Sequence, residues 1–193
     1  MPSNTKKSVL YENTLKLFYE KGFKATTMRE IADSMQFEAA SIYNYIDSKQ
    51  ALLEELIFDI ADQFHAGIEN IQTSQLSLED KLKAVINMYV RITAQNPYKA
   101  ALLTSEWRNL NKEALIRFKK HRSEYEKQLK HIISAYLKEQ NRDQMNPDIA
   151  LHTFLGSMRW IYEWYISNES SINPIELQHQ LTALILNGFS NTK

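Results

Sequence analysis

The sequence predicts an all-α protein, and three observations carry that prediction. Apolar residues recur at three- and four-residue spacing along the 193 residues, with no stretch of clean alternation. Valine, a favoured strand residue, occurs only three times. Three of the four prolines follow asparagine, as Asn96-Pro97, Asn146-Pro147 and Asn173-Pro174. In that pair the asparagine side chain accepts from the free N–H groups of a helix start, and proline loses nothing at the first helical position.

The elements follow from their start and stop signals. A first amphipathic helix spans 6–21 and stops at Gly22, where a left-handed residue closes the last carbonyls and Phe23 packs back on Leu17 or Phe18. Thr27 with Glu30 starts a helix over 27–35, Glu38 one over 39–46, and Asp47 with Gln50 one over 48–72. Ser77 with Asp80 opens 77–94, Asn96 opens 97–108 and Asn111 opens 111–140. Asn146 and Asn173 open 147–167 and 174–190, with Asp148 and Glu176 placing negative charge in their first turns. The count is nine helices. The connections 72–77, 140–147 and 167–173 are short and polar, so any division into domains passes through a helix. We expect an N-terminal domain over 1–50 and a C-terminal one over 51–193.

Composition excludes much chemistry. The absence of cysteine removes disulfides, thiolate metal sites and cysteine nucleophiles. Only four glycines are present, against a usual ~7%, and none are close enough to form a phosphate-cradling loop, so no nucleotide cofactor is expected. His65, His121, His131, His152 and His179 form no four-spaced pair, which leaves no expected metal site. Carboxylate pairs such as Glu54-Glu55 and Glu79-Asp80 fall in first turns or on exposed faces, where capping accounts for them. An enzyme is not expected. The longest uncharged run, Leu177 to Thr192, is broken by polar residues and is shorter than the roughly 20 apolar residues of a spanning helix. The polar start, Met1 to Lys7, has no apolar secretory core, and a cytoplasmic, non-membrane protein is expected.

The functional signal lies in Thr27–Ile46: a short helix with Met28, Ile31, Ala32 and Met35 on one face, a turn, and a second short helix. This is helix-turn-helix spacing, in which the first helix braces a second that enters the major groove. Phe37, Ile42 and Ile46 face the first helix, leaving Ala39, Ala40, Ser41, Tyr43, Asn44 and Tyr45 largely outward. The flanking runs Leu17-Phe18-Tyr19-Glu20-Lys21-Gly22-Phe23-Lys24-Ala25-Thr26-Thr27-Met28-Arg29-Glu30-Ile31-Ala32 and Ser41-Ile42-Tyr43-Asn44-Tyr45-Ile46-Asp47-Ser48-Lys49-Gln50-Ala51-Leu52-Leu53 resemble the tetracycline-repressor (TetR/AcrR) family. The resemblance covers about the first third of the chain and agrees with the nine-helix count. It implies a homodimeric bacterial repressor on double-stranded DNA whose helical C-terminal part binds a small ligand that releases the operator.

By position, the resemblance implies DNA backbone contacts from Thr27, Tyr43, Tyr45 and Lys49. Physical chemistry agrees, because Thr27 and Lys49 sit beside helix N-termini and tyrosine hydroxyls donate to phosphate oxygens. Base readout falls to Ala39, Ala40 and Asn44, since asparagine pairs with adenine and alanine methyls meet thymine methyls; Ser41 suits either purpose. Three departures stand out. Gln36 replaces the usual turn glycine, Glu38 replaces the usual serine or threonine and puts negative charge where phosphate is expected, and Ala40 stands where glycine is common. The competing reading is a helical ligand-binding or interaction module whose helix-turn-helix has lost DNA binding through Glu38 and Gln36.

Towards the C-terminus, 147–167 and 174–190 are apolar over more of their circumference than one subunit's core requires. They are expected to pair with a symmetry mate as a four-helix dimer interface, with Gly156 and Gly188 permitting close approach. Candidates for a ligand pocket are Tyr89, Trp107, Leu110, Phe118, Arg122, Tyr125, Phe154, Met158 and Tyr162. The run Glu106-Trp107-Arg108-Asn109-Leu110 with Arg122, Tyr125 and Trp160 to Tyr165 is similar to the family branch that senses fatty acyl-CoA, with Lys119, Lys120 and Arg122 placed for its phosphates. Net charge is zero overall, and residues 1–50 hold seven basic and six acidic side chains. Such a balance predicts a shallow salt dependence of DNA binding.

Overall fold

The computed structural model describes residues 6–167 and 173–189, and only the backbone of Ala39, Gly188 and Phe189. All regular structure among the described residues is helical. Nine α-helices are present: α1 (Lys6–Lys21), α2 (Met28–Ser34), α3 (Lys49–Thr73), α4 (Leu78–Gln95), α5 (Pro97–Ser105), α6 (Lys112–Glu139), α7 (Pro147–Met158), α8 (Ile161–Ile166) and α9 (Pro174–Phe189). Two 3₁₀ segments, Ala39–Asn44 and Trp107–Asn109, complete the set.

Among the described residues two compact units form, one within 1–60 and 98–119, the other within 61–97 and 120–193. The position expected to divide the domains, 50/51, lies inside α3, and residues 98–119 pack with the N-terminal helices. The ties are side chains far apart in sequence. Lys99 pairs with Asp59 at 2.6 Å, Arg117 with Glu54 at 3.0 Å, and the Gln50 amide donates to the Asn109 carbonyl at 3.1 Å.

In the first unit α2 packs against α1 and the 3₁₀ segment, over a core that includes Leu10, Phe18, Ile31, Ile42, Leu53 and Ile57. Gly22 closes α1 at φ 82°, its N–H bonding the Phe18 carbonyl at 3.0 Å. Phe23 then folds back edge-on to Phe18, ring centroids 5.4 Å apart, as the sequence implied. In the second unit α4 packs against α8 and α9. Gly67 provides a close approach here, since a Cβ on it would run into Met88 Sδ. At Gly156, by contrast, a Cβ would meet nothing within 4 Å, so that glycine brings no helices of this chain together.

Several expected elements take a different form. The helix expected over 147–167 is two, α7 and α8, because the bond ladder shortens at the Arg159 N–H, which reaches the Gly156 carbonyl three residues back. Arg159 and Trp160 keep right-handed helical dihedrals, so the interruption is in hydrogen bonding rather than in handedness. The expected 97–108 divides into α5 and the 3₁₀ turn Trp107–Asn109. Asn96 closes α4, its amide donating to the Ile92 carbonyl at 3.2 Å, instead of capping α5. Ser48, not Asp47, accepts the Ala51 N–H at the start of α3. Caps at Thr27, Ser77, Asn111, Asn146 and Asn173 form as expected.

Candidate nucleic-acid interface

α2 is held at both ends. The Thr27 hydroxyl accepts the Glu30 N–H at 3.2 Å, and the Glu30 carboxylate accepts from the Thr27 N–H at 2.8 Å and hydroxyl at 2.9 Å, a complete capping box. Lys21 reaches the other Glu30 oxygen at 2.7 Å. The Lys21 ammonium first, then the Thr27 N–H and hydroxyl, pull the Glu30 carboxyl down to about 2. At the far end Asn13 donates to the Ser34 carbonyl at 2.9 Å. Gln36 then takes the left-handed conformation, φ 55°, while the Gln36 and Phe37 N–H groups bond the Asp33 and Ala32 carbonyls at 3.0 Å. This is a Schellman closure made without glycine.

The closure delivers the chain into Ala39–Asn44. Its bonds run three residues back, from Ser41 to Glu38 and from Tyr45 to Ile42, so the expected 39–46 α-helix is a tighter 3₁₀ segment. The β-branched and aromatic run Ile42-Tyr43-Asn44-Tyr45-Ile46 is a poor helix former and is short, which favours that outcome. Ile42 and Ile46 are buried and anchor the segment. Ala40, Tyr43 and Asn44 are exposed, Tyr43 by 56%, and Ser41 is half-buried. The side chain of Ala39 lies outside the described residues. Tyr45 is half-buried and stacks on Phe37, centroids 5.5 Å apart, so one face of its ring is already covered. Glu38 stands exposed at the start of the segment and makes no capping bond.

Lys49 is committed inward. Its ammonium donates to the carbonyls of Thr26 at 2.5 Å, Phe23 at 2.7 Å and Lys24 at 3.4 Å, and lies 4.5 Å from the Phe23 ring centroid. It pins the turn between α1 and α2 to the start of α3. Two exposed cations flank that turn with no ion pair among the described residues, Lys24 and Arg29. Neither was singled out from the sequence, where nothing distinguishes them from other surface cations.

The nine ligand-pocket candidates fall into two groups. Trp107, Leu110 and Phe118 belong to the first unit, with Trp107 and Phe118 rings 5.6 Å apart. Tyr89, Tyr125 and Phe154 gather in the second, where Phe64 lies 4.6 Å from Tyr89 and 6.3 Å from Tyr125, and Phe154 lies 6.4 Å from Tyr89. Burial pushes the Tyr89 phenol up to about 12 and raises Tyr125 well above its ordinary value. Arg122 bonds Glu126 at 2.7 Å, Met158 is buried, and the half-buried Tyr162 donates to Glu163 at 3.0 Å. An open groove beside α9, bordered by Glu79, Tyr136 and His179, contains none of the nine.

A braced pair of short helical elements, the second anchored by two isoleucines and exposing small and polar side chains, defines a helix-turn-helix regulator built on an all-α chain. Comparison with known proteins makes this specific. Residues 10–56 match the bacterial regulatory proteins of the tetR family, and residues 75–189 match the tetracyclin repressor-like C-terminal domain. The chain therefore belongs to the TetR family of transcriptional regulators, and it is not an enzyme. The HTH-type transcriptional repressor KstR2 of Rhodococcus jostii is 23% identical over 178 residues, covering 91% of this chain and 86% of that protein. The structure of the ketosteroid transcriptional regulator KstR2 of Mycobacterium tuberculosis superposes with TM-score 0.89 at 19% identity, over 98% of this chain and 97% of that one. AibR, solved with isovaleryl coenzyme A and operator DNA, superposes with TM-score 0.76 at 18% identity, over 93% and 97%. No described helix is long and apolar enough to cross a membrane.

Proposed function

We propose that the protein is a ligand-responsive repressor that binds a two-fold symmetric operator as a homodimer and leaves it when a small acyl-thioester effector binds. The observation that carries DNA binding is the anchored 3₁₀ segment, which presents Ala40, Tyr43 and Asn44 outward on a base fixed by Ile42 and Ile46. Asn44 is the residue suited to adenine and Ala40 to a thymine methyl, with Ala39 beside it in sequence. Tyr43, Ser41, Lys24 and Arg29 serve phosphates, while Thr27 and Lys49 hold the turn that positions them.

The dimer reading rests on apolar side chains left uncovered on α7, α8 and α9. Ile175 is 63% and Leu184 71% exposed, Ile149 is exposed, and Trp160 and Trp164 meet edge-to-face at 5.5 Å. A two-fold axis there gives two reading segments, which suits half-sites about 34–36 Å apart. The effector class draws on AibR and its isovaleryl coenzyme A, and on the aromatic cluster of Phe64, Tyr89, Tyr125 and Phe154. A chain working this way resides with the DNA in the cytoplasm.

Fluorescence anisotropy on a labelled duplex from the gene's own upstream region tests the coupling. Medium-chain acyl-CoA should release the bound duplex, whereas free coenzyme A should not; a bound fraction unmoved by any acyl-CoA contradicts the effector class. Glu38→Ser separates this reading from a module that has lost DNA binding. It removes a charge facing phosphate and should strengthen operator binding severalfold over a measurable wild-type affinity. Binding that appears only in the variant would favour the lost-function reading.

A further inference from the structure

We infer that a polar seam on one face of α6 seats an amide-bearing arm of the effector, and that Tyr125 and Gln128 select for it. This rests on the acyl-thioester reading above. His121, Tyr125 and Gln128 are spaced i, i+4 and i+7, which places them on a single helix face. That face turns into an apolar core, beside buried Leu129 and Ile132. Tyr125 is only 9% exposed, yet its hydroxyl has no partner at hydrogen-bonding geometry, although the Tyr89 hydroxyl is near enough to perturb its ionisation. The Gln128 Oε1 is buried and likewise unmet. Across from them on α3, the His65 ring lies 4.4 Å from that of His121, and its Nδ1 is a third buried atom without a partner.

Buried polar atoms in native folds are overwhelmingly paired, and an unmet one weighs against folding. Three along one seam call for a partner from outside the chain. The charges nearby are already engaged: Asp62 takes the His121 Nε2 at 3.0 Å, and Glu126 takes Arg122 at 2.7 Å. What remains is neutral, a hydroxyl able to donate and a carbonyl able only to accept, separated by about one helical turn, roughly 5 Å. An amide offers the complementary carbonyl and N–H, whereas the guanidinium beside Tyr89, that of Arg122, is already paired with Glu126. Phe64 and Tyr89 flank Tyr125 and supply an apolar wall for the adjoining acyl chain. The pantetheine arm of a coenzyme A thioester has this chemistry.

The test uses the full chain with two probes sharing one acyl group: octanoyl-N-acetylcysteamine, which carries one amide, and S-ethyl thiooctanoate, which carries none. Titration calorimetry should show the wild type preferring the amide-bearing probe by about tenfold, the worth of a hydrogen bond to a buried group. Tyr125→Phe and Gln128→Leu should each reduce that preference to less than about threefold, with S-ethyl thiooctanoate affinity unchanged. The unliganded variants should melt at or above the wild-type Tm, since each removes an unmet buried atom. A wild type without the preference, or variants that retain it, overturns the seam while leaving the effector class standing. Variants that melt well below wild type overturn it too, because the groups are then structural. A wild type that binds neither probe nor octanoyl-CoA overturns the effector class and the seam together.

Discussion

Gln36 occupies a conformation that most side chains avoid. Its φ of 55° puts it in the left-handed region, which costs a residue with a Cβ about 1–2 kcal/mol relative to glycine. Gly22 performs the same closing task at φ 82° without that strain. Replacing Gln36 by glycine should therefore stabilise the fold by about 1 kcal/mol after the entropy of the unfolded glycine is subtracted. Urea unfolding reads this directly, and an unchanged or lower midpoint would show that the strain is relieved elsewhere. The departure at Gln36 was visible in the sequence, as were the caps at Thr27, Ser77 and Asn146. The cap at Ser48 was not, because Asp47 and Ser48 are adjacent capping residues and only the path of the chain decides between them.

Two elements make up the proposed reading surface, α2 and the 3₁₀ segment, and a lysine from a third holds the turn before them in place. The ammonium of Lys49 satisfies three carbonyls of the turn that leads into Thr27. The family resemblance implied a phosphate contact for it, and helix-start chemistry agreed, since a cation at a helix start looks the same in sequence whether it points outward or back into the protein. Salt dependence distinguishes the two roles. Lys49→Met should weaken operator binding and lower the unfolding midpoint while leaving the slope of log affinity against log salt unchanged. A phosphate contact would instead reduce that slope by about 0.9 per protomer. The 3₁₀ form of the segment and the break between α7 and α8 were also beyond the sequence, because apolar periodicity reports which face is buried and not which hydrogen bond closes each turn.

On the scale of the whole molecule, the helical class and most helix starts were legible, since those starts carry their own local signal; the count of nine α-helices agrees only because 147–167 divides in two while 39–46 is 3₁₀. The grouping of residues 98–119 with the N-terminal helices was not, because it depends on pairs such as Lys99 with Asp59 and Arg117 with Glu54, which no local pattern announces. The polar seam was half legible: its α6 spacing is in the sequence, but His65 joins it only through the fold. The apolar excess on α7 to α9 persists as exposed side chains, and it gives a dimer prediction. Leu184→Glu should convert the dimer to monomer by light scattering at micromolar concentration and weaken operator binding at least tenfold, and a wild type already monomeric there would remove the two-fold reading.

Overall neutrality leaves the proposed DNA interface few phosphate contacts, so specificity rather than sheer affinity should be its signature. The most direct measurement is a titration of the full chain, at physiological salt, against its own upstream duplex and a scrambled duplex of equal composition. The exposed 3₁₀ segment predicts at least about a thousandfold preference for the upstream duplex, largely lost on Asn44→Ala. Equal and weak binding to both duplexes would contradict it.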